Sequence, residues 1–145
     1  MQSPVNPPIG EIDIVTLANP AAGADIFYLT PNNYLYWLKQ VHFTLTTDAT
    51  ALARHVNINN TIGAAIFWET EWRNWQAAST TFRYCAFPGT LDFLSALSLL
   101  QLATIPSKHI LTANTIIHSV IVNLAAGDQI SDVTLTFEKW VLQTV

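Results

Sequence analysis

The sequence predicts an all-β fold: an antiparallel two-sheet sandwich of about eight strands, jelly-roll-like, with an immunoglobulin-like sandwich as the alternative. Three observations predict it. Apolar residues recur at every second position through most of the chain, turn residues interrupt these runs at short intervals, and no segment carries a long helical periodicity. With 145 residues the chain has the size of one domain around one core. Residues 9–145 are therefore expected to form a single sandwich, preceded by an extended arm at residues 1–8.

The arm, MQSPVNPP, holds three of the seven prolines, which fix φ and withhold amide donors from any sheet. Its candidate contacts with a neighbouring subunit are Pro4, Val5, Pro7 and Pro8. Ile12, Ile14 and Leu17 mark a first strand, ended by Asn19-Pro20 and the small-residue turn at 21–25. Ile26 to Leu29 is a short second strand closed by Thr30-Pro31-Asn32-Asn33. Tyr34 to Thr47 is the clearest segment. Leu35, Trp37, Val41, Phe43 and Leu45 share one face, while Tyr34, Tyr36, Leu38, Gln40, His42, Thr44 and Thr46 share the other.

After the turn Asp48-Ala49-Thr50, residues Arg54 to Asn59 alternate again, with Val56 and Ile58 inward. Asn59-Asn60 is the expected hairpin turn, because Asn tolerates positive φ, and Ile62, Ala64, Ile66 and Trp68 the returning strand. Residues 69–79 read as a loop and Thr81 to Phe87 as a strand. The segment 90–105 fits a buried strand or a short helix equally well; we expect an irregular or single-turn helical start and then a strand. Thr115 to Leu124 is apolar on both sides, which predicts a strand covered on both faces. Val133, Leu135 and Phe137 alternate with Thr134, Thr136 and Glu138 in the last strand.

Composition narrows the function classes. Half of the residues are apolar (50%) but only 11% are charged, against about 25% in an ordinary soluble domain. Six Lys and Arg stand against ten Asp and Glu, for a net charge of -4. The basic residues are scattered singly, so no phosphate-binding surface is expected and nucleic acid is excluded as a partner. The longest apolar stretch, Leu91 to Ile105, is interrupted by polar residues and falls short of a membrane span. The first eight residues lack the basic start and apolar run of a secretory signal. Seventeen Thr, ten Asn and seven Ser carry the polar surface in place of ions. Such a surface packs against neighbours without stripping water from charges, so a homo-oligomer is expected.

Chemistry-bearing residues are few. His42, His55, His109 and His118 have no partner at metal-ligand spacing, and one cysteine, Cys85, forms neither an internal disulfide nor a zinc site. Cys85 beside Arg83 reads as a small buried hydrophobe. No nucleophile elbow and no glycine-rich phosphate loop occurs. Glu69/Glu71 and Asp128/Asp132 read as solvated loop charges. Neither a cofactor nor an enzymatic activity is expected. The unusual local feature is WETEWRNWQ (68–76), which holds three of the five tryptophans. Trp68, Trp72, Arg73 and Trp75 are the candidate contacts, either for core and subunit packing or for stacking on the apolar faces of sugar rings.

Two segments, YLYWLKQVHFTLTTDATALARHVNI (34–58) and AAGDQISDVTLTFEKW (125–140), resemble a pattern in small structural proteins of tailed bacteriophages. The shared features are a hydrophobic strand ending in Thr-Asp-Ala-Thr, a second strand with an Arg, and a late Ala-Gly-Asp-Gln turn before a Glu-bearing strand. Asn59-Asn60 stands where the pattern has an Asp-Gly hairpin, and the Trp-rich stretch is foreign to it. The resemblance implies a virion component, either a capsid decoration (cement) protein or a head or tail accessory protein. It further implies a homotrimer bound to the major capsid protein on the capsid surface, made in the host cytoplasm.

Overall fold

The computed structural model describes residues 10–89, 93–95, 99–107 and 109–141. The arm, with Pro4, Val5, Pro7 and Pro8, lies outside the described residues. So does part of the segment whose start is read above as irregular or helical.

Among the described residues the chain is all-β. The strands are β1 (Glu11–Thr16), β2 (Phe27–Leu29), β3 (Tyr34–Thr46), β4 (His55–Ile62), β5 (Ala65–Glu71) and β6 (Thr81–Ala86). They continue with β7 (Phe93–Ser95), β8 (Leu100–Ala103), β9 (Ile110–Leu111), β10 (Ile116–Val122) and β11 (Gln129–Val141). A large sheet runs β1-β11-β3-β6-β8-β7, with β9 also paired to β3, and a small sheet runs β2-β10-β4-β5. All neighbours are antiparallel except β6 and β8, which are parallel. The two sheets face each other across one core. Val41, Phe43, Leu45, Tyr84, Val133, Leu135 and Phe137 of the large sheet meet Val56, Ile58, Ile117 and Ile121 of the small one. Tyr28 of β2 stacks on Phe137 of β11 at 5.5 Å, which ties the sheets across the gap.

Strict alternation fails in β3 at one residue. Tyr36 and Leu38 are buried, and so are Val41, Phe43 and Leu45, so the inward side changes parity between residues 38 and 41. The pairing shows why: Thr136 and Phe137 of β11 stand opposite Gln40 and Leu38, leaving Lys39 as an extra residue. Leu35 and Trp37 therefore lie on the outer face, not on the inner face that period two predicts. The bulged Lys39 is used there. Its ammonium lies 3.3 Å from the centroid of the Trp37 ring and 3.0 Å from Glu138 Oε2. A second irregularity places Asp132 (φ 56°) and Val133 together between the pairs Ser131–Thr44 and Thr134–His42. It brings Val133, Leu135 and Phe137 inward after Ile130.

Four further expectations change. Asn59 and Asn60 are strand residues; β4 runs on to Ile62 and the chain reverses at Gly63-Ala64, where Gly63 takes φ 57°. Residues 69–71 belong to β5, so the returning strand is longer than its apolar residues suggest. Strands β7 and β8 stand within 93–103, and β8 pairs with both β7 and β6. Finally, β10 is covered on one face only. Ile117, Ser119 and Ile121 are buried, whereas Val120 and Val122 on the other side are exposed.

Candidate functional site

Arg54 and His55 lead into β4 from the turn after β3, and their side chains enter different surroundings. Arg54 is fully buried. Its Nε donates to Asp128 Oδ2 at 2.8 Å and its Nη2 to Asp128 Oδ1 at 2.8 Å, a bidentate pair. Nη2 also reaches Asp48 Oδ1 at 2.6 Å, and Nη1 donates to the carbonyl oxygens of Thr50 and Leu52. Asp128 is equally buried and accepts the amides of Asp48 and Ala125 as well, each at 2.8 Å. Burial pushes the Asp128 carboxyl up, but the Arg54 hydrogen bonds and the two amides outweigh it and hold the group below the usual carboxylate range. Asp48 is lowered too, first by the Thr50 amide and then by Arg54. The network pins the β3–β4 turn to the β10–β11 turn. Gly127 is required at that junction, because a Cβ there would stand 2.7 Å from Asp48 Oδ2 and 2.9 Å from Asp48 Cβ.

These are the residues of the Thr-Asp-Ala-Thr, Arg and Ala-Gly-Asp-Gln segments. Structure brings them together as an internal clamp with no donor or acceptor turned outward from Arg54. Asp128, read from the sequence as a solvated loop charge, is its hub.

His55 belongs to the outer face of the small sheet. Its Nε2 lies 2.9 Å from Glu71 Oε1, and its ring stacks on Trp75 at 4.8 Å with 30° between planes. The register continues the row, since Asn57 stands opposite Glu71 and Asn59 opposite Glu69. Asn57 Nδ2 donates to Glu69 Oε1. The carbonyl oxygens Asn57 Oδ1 and Asn59 Oδ1 are buried without a hydrogen-bond partner, which is costly unless something satisfies them. Glu69 and Glu71 are thus solvated charges as expected, but they stand on a strand and bond across the sheet, not on a loop. The signal lay in the sequence: Trp68, Thr70 and Trp72 alternate with Glu69, Glu71 and Arg73.

The tryptophans part company. Trp68, on the inner side of β5, packs against the core. Trp72 is 1% exposed and meets Phe43 and Tyr84 edge-on at 5.7 and 5.4 Å, so it is core and no ligand reaches it. Gln76 holds the returning loop, donating to the carbonyls of Leu45 and Thr80 and accepting from Tyr84 Oη at 2.8 Å. Arg73 is exposed. Trp75 remains 53% exposed, and its stacking partner His55 is a residue that sequence reasoning did not single out.

Elsewhere, a cleft of about 440 Å³ lies between Glu69, Thr70, Gly89 and the 104–107 segment. No group of three metal-ligating side chains occurs among the described residues. Cys85 is buried beside β3, with its thiol pushed up by burial against a hydrogen bond from Gln40 that lowers it. Compared with protein families, curated proteins and solved structures, the chain finds no match in any of the three.

Proposed function

We propose that this chain is a non-enzymatic structural protein of a virion, a jelly-roll decoration protein that self-associates and bridges subunits of the major capsid protein. Numbering the eight sandwich strands in chain order (β1 to β6, β10, β11), the sheets run 1-8-3-6 and 2-7-4-5. That order supports the jelly-roll reading, a fold common among capsid and lectin domains, with β7 to β9 taken as an insertion. The phage-like segments support the virion assignment. The observation that carries the assembly reading is an apolar strip, broken by His118 opposite Phe27, on the outer face of the small sheet. Phe27, Leu29, Val120 and Val122 stand on adjacent strands there, each between 38% and 62% exposed. Exposed contiguous apolar surface marks an interaction site, and a chain with so few charges has little else to keep copies apart.

Sedimentation of the full chain tests this. The expected result is a mass near three times 16.1 kDa, reduced to one protomer by joint substitution Phe27→Asp and Val120→Asp with the β circular-dichroism signal retained. A wild-type monomer at about 100 μM, well above a micromolar dissociation constant, would contradict it. A glycan-binding module is the second reading, favoured by the surroundings of Trp75.

A further inference from the structure

We infer that the β4–β5 half of the small sheet's outer face is a binding site for a neutral oligosaccharide, with Trp75 as its stacking platform. This does not rest on the assembly reading, which uses the β2–β10 half of the same face.

Trp75 supplies the aromatic surface. His55 packs against one face of the indole, and Glu71 holds His55 from the side, so the platform is fixed before any ligand arrives. Preorganised aromatic surface of this kind binds the apolar face of a pyranose ring at low entropic cost. From His55 to Asn59 the strand covers roughly 13 Å at 3.3 Å per residue, long enough for a short oligosaccharide. Along that length the row offers mainly acceptors. They are the exposed carboxylates of Glu71 and Glu69.

A ligand matching this row brings hydroxyl donors for the two carboxylates and one apolar ring face for the indole, which describes a sugar. Two exposed carboxylates on the row disfavour sialic and uronic acids through like-charge repulsion. The ligand is therefore uncharged.

The test is an NMR titration of the full chain with maltotriose, lactose and triacetylchitotriose, with sialyllactose as the anionic comparison. At least one neutral probe is expected to shift the Trp75 indole N–H and His55 signals with a dissociation constant of about a millimolar. Sialyllactose is expected to bind more weakly than lactose. Trp75→Ala should weaken the binding by about tenfold or more with the other amide signals in place, and Trp75→Phe should recover part of it. If none of the neutral probes moves these two signals at about 10 mM, or if Trp75→Ala binds as tightly as the wild type, the inference is overturned.

Discussion

Arg54 and His55 are consecutive residues, both buried and each paired with a carboxylate, but those carboxylates lie in opposite kinds of environment. Arg54 is enclosed, with its guanidinium bound by Asp128, Asp48 and two carbonyls. His55 meets a Glu71 that is itself exposed, under a tryptophan open to solvent. The difference teaches where to look for function. A fully satisfied buried pair has no capacity left for a ligand, and its role is to fix two turns to each other. A pair whose carboxylate is exposed contributes little to stability, so its ordered geometry and its stacked indole are free to serve recognition.

The largest effect is expected at Asp128. Asp128→Ala strands the Arg54 guanidinium and two backbone amides, and we expect a loss of about 3–5 kcal/mol in equilibrium unfolding. A loss below about 1 kcal/mol, the scale of surface pairs, would mean that the clamp is not what holds the turns. The tryptophans give the next contrast. Trp72→Ala empties a core site against Phe43 and Tyr84 and should cost about 3–4 kcal/mol. Trp75→Ala should stay within about 0.5 kcal/mol, as at an ordinary surface position.

Lower in size is Gly127→Ala. A methyl there drives Asp48 from its place beside Arg54, and overpacking of this kind costs about 1–3 kcal/mol. Acid should act on the same clamp. Asp128 and Asp48 titrate below their ordinary value when folded, so the unfolded chain takes up protons first. The stability they contribute is complete above about pH 4 and is lost as pH falls through their lowered values. Asp128→Asn should flatten that part of the pH–stability curve. Smallest is Glu71→Gln, expected to change stability by under about 1 kcal/mol while altering the His55 ring signals.

Much of the architecture was legible because one physical signal, period-two burial, governs most of the chain. Val56, Ile58, Val133, Leu135 and Phe137 point inward as alternation demands. It misled where one residue was added: the bulge at Lys39 turns Leu35 and Trp37 outward, and nothing in local propensity marks Lys39 as extra. Asparagine's tolerance of positive φ points to a hairpin at Asn59-Asn60, whereas the chain turns at Gly63 three residues on, the residue that accepts positive φ at no cost. The Trp-rich stretch was read by composition, which cannot say that Trp72 goes in and Trp75 stays out. The alternation Trp68, Thr70, Trp72 continues into that stretch and was the available clue. Long-range partnerships such as Arg54 with Asp128, 74 residues apart, follow from sheet pairing and leave no local mark.

The most direct measurement is equilibrium denaturation of two neighbouring substitutions, Arg54→Met and His55→Ala, under one set of conditions. Arg54→Met should lose several kcal/mol, because Asp128 is left buried and uncompensated, an effect on the order of 3–5 kcal/mol. His55→Ala removes a buried ring whose partner Glu71 is exposed and should lose about 1 kcal/mol, the centre of the range for single substitutions. Equal losses, or a larger loss at His55, would contradict the division between an inner clamp and an outer recognition face.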